Sequence, residues 1–460
     1  MKIVFDSGIF TAIVFYSGNW IPQGNKGYLS SRRCKILWNR LGDESMNRTG
    51  WLINLFLIAG ILVMFVASGS LREREDEIVW SRFVGTTNRD IAYDLALLND
   101  GIVMVGWTST TKDMSDQNVM IVKFSKDGKL SWNRVVGSAG TEGGNCVEKT
   151  SDGGFIVGAI SNSHDGETPA QFGAQDVWLM KYDSQGNLLW KRCYGTQAYE
   201  SVFDVLEDDG YIFVGYTTSA GDEDVWLVKV SRDGEVMWQR TFDGGGWDCG
   251  FAIDKAQDAY YVAGLTKSSE TSVDTASTSA DMWILKLSKD GELLWQRKLG
   301  GTDWDQASDI LVTEDGKVVV LGTSWSKEIA RHGRADFVIF VLDPDGEVIL
   351  QKSYGGSQDD IAQKIVRIDD GYLLVGTTWS DDVYGAKRNG GSDYLVMKID
   401  KSGELVWSKC FGSTMDEVGY AVAVDGANYF VTGVSYSYFF GLRLRSHGGG
   451  DALLLKLRLE

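Results

Sequence analysis

The polar and apolar positions of this chain follow two periods, one nested inside the other. Short runs of β-branched and aromatic residues, some alternating with polar ones, are separated by Asp-Gly and Gly-Gly turns. That is the pattern of brief strands joined by hairpins. Over a longer range the same order of runs returns, and a tryptophan marks each return. Trp80, Trp132, Trp190, Trp238, Trp295 and Trp407 each stand shortly before a glycine turn, and Leu350 fills the slot in the remaining copy. The intervals are 52, 58, 48, 57, 55 and 57 residues, with 53 more to the C-terminus. A period near fifty indicates a propeller or solenoid array.

One copy predicts four strands. Strand a lies around Ile310 and is followed by an Asp-Gly turn and strand b at Lys317–Leu321. After a long loop come strand c at Phe337–Leu342, a second Asp-Gly turn, and strand d ending at the Trp slot. Seven such copies predict an all-β chain, a seven-bladed β-propeller of four-stranded blades. The ends fit a closed ring. Leu453–Leu457 reads as a strand c with no strand d after it, while residues 77–83 read as a strand d without a blade. The N-terminal strand is therefore expected to complete the last blade and remove the open edges.

The repeats carry D-G-φ-φ-φ-x-G-x-T-x-S, D-x-W-φ-φ-K and D-G-x-φ-φ-W (φ, apolar) across residues 77–460. In these motifs the chain resembles a family of tandem propeller repeats common in secreted bacterial and archaeal proteins of unassigned activity. It is also similar to pyrroloquinoline-quinone-type repeats, whose Asp…Gly…Trp motif docks blades together. Asp183, Gly186 and Trp190 form a version one residue shorter than that pattern, and Ser125, Asp127, Gly128 and Trp132 resemble a sialidase Asp-box with its glycine displaced. The resemblance implies the fold and no activity.

Composition narrows the function. Three prolines and 55 glycines suit short strands and tight turns, and 17 tryptophans supply core. The net charge is −18, although the first 76 residues hold nine Lys and Arg against six Asp and Glu. An acidic propeller is not expected to bind nucleic acid or an anionic membrane surface. Cys34, Cys146, Cys193, Cys249 and Cys410 show no metal or redox spacing and read as small buried residues.

Residues 51–67 form the one long apolar run, with Arg32, Arg33, Lys35, Arg40 and Arg48 before it and Arg72 and Arg74 after it. The positive-inside rule places the repeats outside the cytoplasm, with the run as their sole link to a membrane. Met46 opens a secretory-type signal ending near Ala67-Ser68-Gly69. The expected organisation is a non-native or cytoplasmic extension at 1–45, a signal peptide or single anchor at 46–69, a linker at 70–76 and the propeller at 77–460. The mature protein would be anchored or secreted.

Two sets of residues are candidates for function. An acid opens every strand a: Asp90, Glu142, Glu200, Asp248, Asp305, Asp360 and Glu417. These acids are expected to ring one mouth of the channel. They read best as acceptors for turn N–H groups, and alternatively as a cation site or electrostatic funnel. The acid or amide before strand c (Asn118, Asp176, Asp224, Asp281, Asp336, Asp393, Asp451) reads the same way.

The loops between strands b and c break the repeat. Where blades one to four carry Ser109, Ser161, Thr218 and Lys267, blades five to seven carry Trp325, Trp379 and Tyr436. The same three loops hold Arg331, His332, Arg334, Arg388, Arg443, Arg445 and His447, with Tyr384, Lys387, Tyr438, Phe439 and Phe440. Aromatic faces stack on sugars and Arg offers planar donors, so this sector is a candidate surface for a glycan or a partner protein. The alternative is that the aromatics pack the loops to the rim while Arg stems cover them.

No nucleotide, zinc-protease or nucleophile-elbow motif is present, and no metal or cofactor is expected. His332 and His447 share a spacing to Asp336 and Asp451 that points to loop structure. Two classes remain: a non-enzymatic binding propeller, and a secreted carbohydrate-active hydrolase or lyase using face acids.

Overall fold

The computed structural model describes residues 77–459 apart from 113–114, 138–139, 164–171, 268–278 and 441–443, together with the backbone of residues 12–15, 28–31 and 34–38. The expectations for residues 46–69 and for His164 and Arg443 lie outside the described residues. Two compact units are present, Met1–Arg72 and Glu73–Glu460. The first contains a three-stranded antiparallel sheet in the order Ala12–Phe15, Cys34–Trp38, Tyr28–Ser31. Among the described residues no helix is long and apolar enough to cross a membrane.

The second unit is all-β. Seven four-stranded antiparallel sheets follow one another, each in the order a-b-c-d. Blade one is Asp90–Leu97, Ile102–Ser109, Gln117–Phe124 and Leu130–Val136. In blade seven, strands a to c are Glu417–Asp425, Asn428–Ser435 and Asp451–Leu457. Strand c of blade seven pairs antiparallel with Ile78–Val84, from Leu457 opposite Ile78 to Ala452 opposite Val84.

Burial explains the composition of each strand. Strands b and c are covered on both faces by neighbouring blades, so Ile102–Val105 and Val119–Val122 are apolar without alternation. Strand d forms the rim and alternates, as in Leu130-Ser-Trp132-Asn-Arg134. Seven apolar clusters fill the seven interfaces between blades. One joins Val319, Leu321 and Phe337 of blade five to Ile365, Leu374 and Leu395 of blade six. The one between the last blade and the first joins Phe430 and Leu454 to Ala92 and Met104.

Strand d does not stop at the Trp slot. Tryptophan is its third residue, and the strand continues four residues further, as in Leu293–Leu299 around Trp295. The extra residues place an Arg or Lys two positions on, where it lies over the indole: Arg82 is 5.4 Å from Trp80, and Arg297 is 5.5 Å from Trp295. The indole in turn lies under the c–d turn of the next blade. A Cβ on Gly128 would stand 2.7 Å from Trp80, and one on Gly186 would stand 2.5 Å from Trp132. Both glycines also have positive φ, 81° each. The c–d turn therefore needs glycine for its backbone and again for the neighbour's tryptophan.

Candidate functional site

Strand a of every blade is bulged at its fourth residue. The register slips at Tyr93, Asn145, Phe203, Phe251, Ser308, Gln363 and Tyr420, each left without a partner on strand b. A bulge re-aims the side chain it frees, and these seven line a cavity of about 380 Å³ on the inner strands. Asp94, Asp204 and Lys364 line it too. Each acid here bridges blades. Asp94 accepts from Leu95 N and from Val147 N of the next blade, both at 2.8 Å. Asp309 accepts from Ile310 N at 3.0 Å and from Ile365 N at 2.9 Å, with Lys364 Nζ 3.4 Å away.

Burial, with Asp204 and Asp94 nearby, raises Glu148 to about 8. Burial also raises Asp204 to about 7, against the pull of Lys364. The native state therefore holds protons that the unfolded chain releases near its ordinary carboxylate pKa. This contribution to stability is full below that ordinary value and is lost as pH rises through about 7 to 8. Thermal melts should show a higher Tm at pH 6 than at pH 9. Glu148→Gln should shrink that difference, and parallel pH profiles would contradict the assignment.

At the loop end of the strands lie the seven acids that open strand a, and all seven are fully buried. Six take the backbone N–H four residues upstream. Examples are Asp305 Oδ2 from Gly301 N at 2.7 Å, Asp360 Oδ2 from Gly356 N at 2.7 Å and Glu417 Oε2 from Ser413 N at 2.7 Å. Asp90, Glu200 and Asp248 repeat the contact through Thr86, Thr196 and Gly244. Hydroxyls following or closing strand b donate as well: Ser326 to Asp305 at 2.7 Å, Ser380 to Asp360 at 2.9 Å, and Ser161 to Glu142 at 3.0 Å. The acid opening strand c accepts from its own b–c loop, as Asp336 does from His332 N at 2.8 Å and Asp393 from Asn389 N at 2.8 Å.

The d–a and b–c loops share one face and are laced together. Trp325 N donates to Trp304 O, Trp379 N to Asp359 O and Tyr436 N to Asp416 O, each at 2.9 Å. Trp379 is exposed and Trp325 half-buried. Tyr436 packs with Ile91, Trp107 and Val434, its hydroxyl accepting from Arg89, whose guanidinium lies 5.3 Å from the ring. It thus joins blade seven to blade one.

The basic residues of this sector divide in the same way. Arg388 donates to Gly390 O at 2.6 Å and pairs with Asp381 at 3.2 Å, which holds its own loop together. Arg334 reaches Asp359 at 3.5 Å, and His447 Nδ1 lies 3.5 Å from Asp451. His332 shares a hydrogen bond with Tyr384 Oη at 3.0 Å, linking the loops of blades five and six, and Arg331 is exposed. Arg445 lies in a short strand, Leu444–Arg445, that pairs with Phe439–Phe440.

The b–c loops are not the whole aromatic surface. The residue just before the acid of strand a is Tyr199, Trp247 and Trp304 in three successive blades, against Arg89, Thr141, Asp359 and Asp416 elsewhere. Trp247 and Trp304 lie 5.5 Å apart. With Trp325, Trp379, Tyr384 and Tyr438 they extend the arc over blades three to seven. The same departure from the repeat marks them in the sequence, in the d–a loops instead of the b–c loops.

The molecule is a seven-bladed β-propeller. No family model and no curated protein matches the chain. Among solved structures it is similar to Sqt1 from Chaetomium thermophilum (10% identity, 84% of this chain and 99% of that chain, TM-score 0.45). It is also similar to the extracellular domains of Drosophila Semaphorin 1b (8%, 84% and 87%, 0.46) and the Neurospora crassa Pan2 WD40 domain (10%, 68% and 88%, 0.36).

Proposed function

We propose that this protein is a non-enzymatic binding propeller, acting outside the cytoplasm, that holds a glycan or a partner protein on its d–a and b–c loop face. The observation that carries the reading is the exposed aromatic arc. Tyr199, Trp247, Trp379, Tyr384 and Tyr438 all present large side chains to solvent there, with Tyr438 at 66% exposure. Exposed aromatics set among polar loops are the composition of recognition surfaces. The location rests on the apolar run 51–67 and the basic residues before it.

The variant Trp247→Ser, Trp379→Ser, Tyr438→Ser should lose at least tenfold in affinity on a glycan array or a surface-protein array. Its Tm should stay within a few degrees of the parent, because these side chains are exposed. Equal binding by parent and variant would refute the reading. One observation favours the second reading, a carbohydrate-active hydrolase or lyase. Asp204 lines the cavity of about 380 Å³ on the inner strands, and burial raises it to about 7, where a carboxyl can serve as a general acid. Turnover of chromogenic glycosides that disappears in Asp204→Asn would establish it.

A further inference from the structure

The repeat fails at one polar position in a way that packing does not explain. The residue after strand d is glycine in six blades: Gly85, Gly137, Gly195, Gly300, Gly355 and Gly412. The reason is steric. A Cβ there would stand 1.7 to 2.4 Å from the Oδ1 of the acid or amide that opens strand c. In blade three the residue is Asp243. It follows Phe242, which pairs with Val225, and so falls opposite Asp224, the opening acid of strand c. Blade three therefore places a carboxylate against a carboxylate where the rest of the ring keeps bare backbone. Like charges directly opposite each other across two strands are destabilising.

Asp224 differs from its counterparts in a second respect. The b–c loops of blades two, five, six and seven each give the matching Asp a backbone N–H, from Phe172, His332, Asn389 and His447. In blade three, strand b ends at Thr217 and strand c begins at Asp224, so that loop is short. Asp224 is 1% exposed, and its Oδ1 lacks a hydrogen-bond partner among the described residues, as do those of Asp176, Asp336, Asp393 and Asp451; those four acids receive the loop N–H on Oδ2, and Asp224 does not. Carboxylate oxygens of Asp224, Asp243 and Asp248 all lie within 4.8 Å of one another. Two oxygens on opposite sides of a calcium ion stand about 4.6–5.2 Å apart, from Ca–O distances of about 2.3–2.6 Å.

We propose that Asp224, Asp243 and Asp248 form a calcium site on the loop face of blade three. Three carboxylates are hard oxygen ligands and supply the charge that a divalent cation needs. Asp243 is exposed, so water or a bound ligand completes the shell from the solvent side. The cation offsets the repulsion between two facing acids and gives the buried Oδ1 of Asp224 a partner. This site stands independently of the aromatic arc.

The decisive variant is Asp243→Gly, which restores the residue that six blades use and so preserves the fold. Terbium, a calcium mimic, should bind the parent at one saturable site, with emission sensitised by Trp247 beside Asp248 and displaced by calcium. Asp243→Gly should weaken calcium at least tenfold in titration calorimetry while its metal-free Tm equals or exceeds that of the parent. Asp224→Asn should weaken it as well. Asp233→Asn, which removes an exposed charge from a turn of the same blade, should leave affinity unchanged. No saturable calcium binding by the parent, equal affinity in Asp243→Gly, or an equal loss in Asp233→Asn would each overturn the proposal.

Discussion

Deleting residues 77–84 should unfold this protein at temperatures where the parent is intact, or send it into aggregates. Three losses coincide. The ladder between Ile78–Val84 and Asp451–Leu457 disappears, including the bond from Arg458 N to Glu77 O at 2.9 Å. The latch onto blade one goes with it, because Trp80 lies against Gly128 and Arg82 Nε donates to Gly128 O at 2.6 Å. Strand c of blade seven, with Leu453, Leu454 and Leu455 all fully buried, becomes an apolar edge. The combined cost is about 5 kcal/mol or more, comparable with the whole stability of a typical domain. A circular permutant carrying the same strand after Leu459 should recover most of the lost Tm, since pairing needs the strand and not its position in the chain. A truncated chain melting with the parent would show that the strand contributes nothing to holding the ring.

Asp360→Ala should be strongly destabilising, as a test of the acids that open strand a. It removes the acceptor for Gly356 N and Ser380 Oγ from a fully buried position and leaves both donors unpaired. At about 1–3 kcal/mol for each stranded buried donor, the loss is about 2–6 kcal/mol by chemical denaturation. Burial raises Asp360 to about 6, above the ordinary carboxylate value. Asp360→Asn, which keeps the shape, should therefore cost less than the alanine at neutral pH. If these acids served only as a funnel or cation ring, Asp360→Ala would leave stability unchanged.

The two candidate sets were unequally legible. The acids of strand a are recoverable from repetition alone, because a turn that recurs seven times needs the same acceptor seven times. The aromatic sector was legible where single residues broke the repeat in b–c loops. Its continuation through Tyr199, Trp247 and Trp304 follows from the laced d–a loops, a relation between loops distant in sequence. Tyr436 occupies the same repeat slot as Trp325 and Trp379, yet Arg89 fixes it between blades. Sequence position cannot separate exposed members of a set from buried ones.

What the sequence by itself determined is the local and the repeated: strand lengths, glycine turns, seven blades of four strands, and a rim tryptophan in all but one. Period and turn chemistry act over a few residues, so they can be read from a few residues. Only the tertiary structure decided which side chains the bulges of strand a turn into the central cavity. It also placed Glu148 and Asp204 near one another, though their sequence separation exceeds fifty residues. It set Asp243 opposite Asp224. Those arrangements arise from pairing and packing between segments far apart in the chain, and burial supplies the energies that shift their protons.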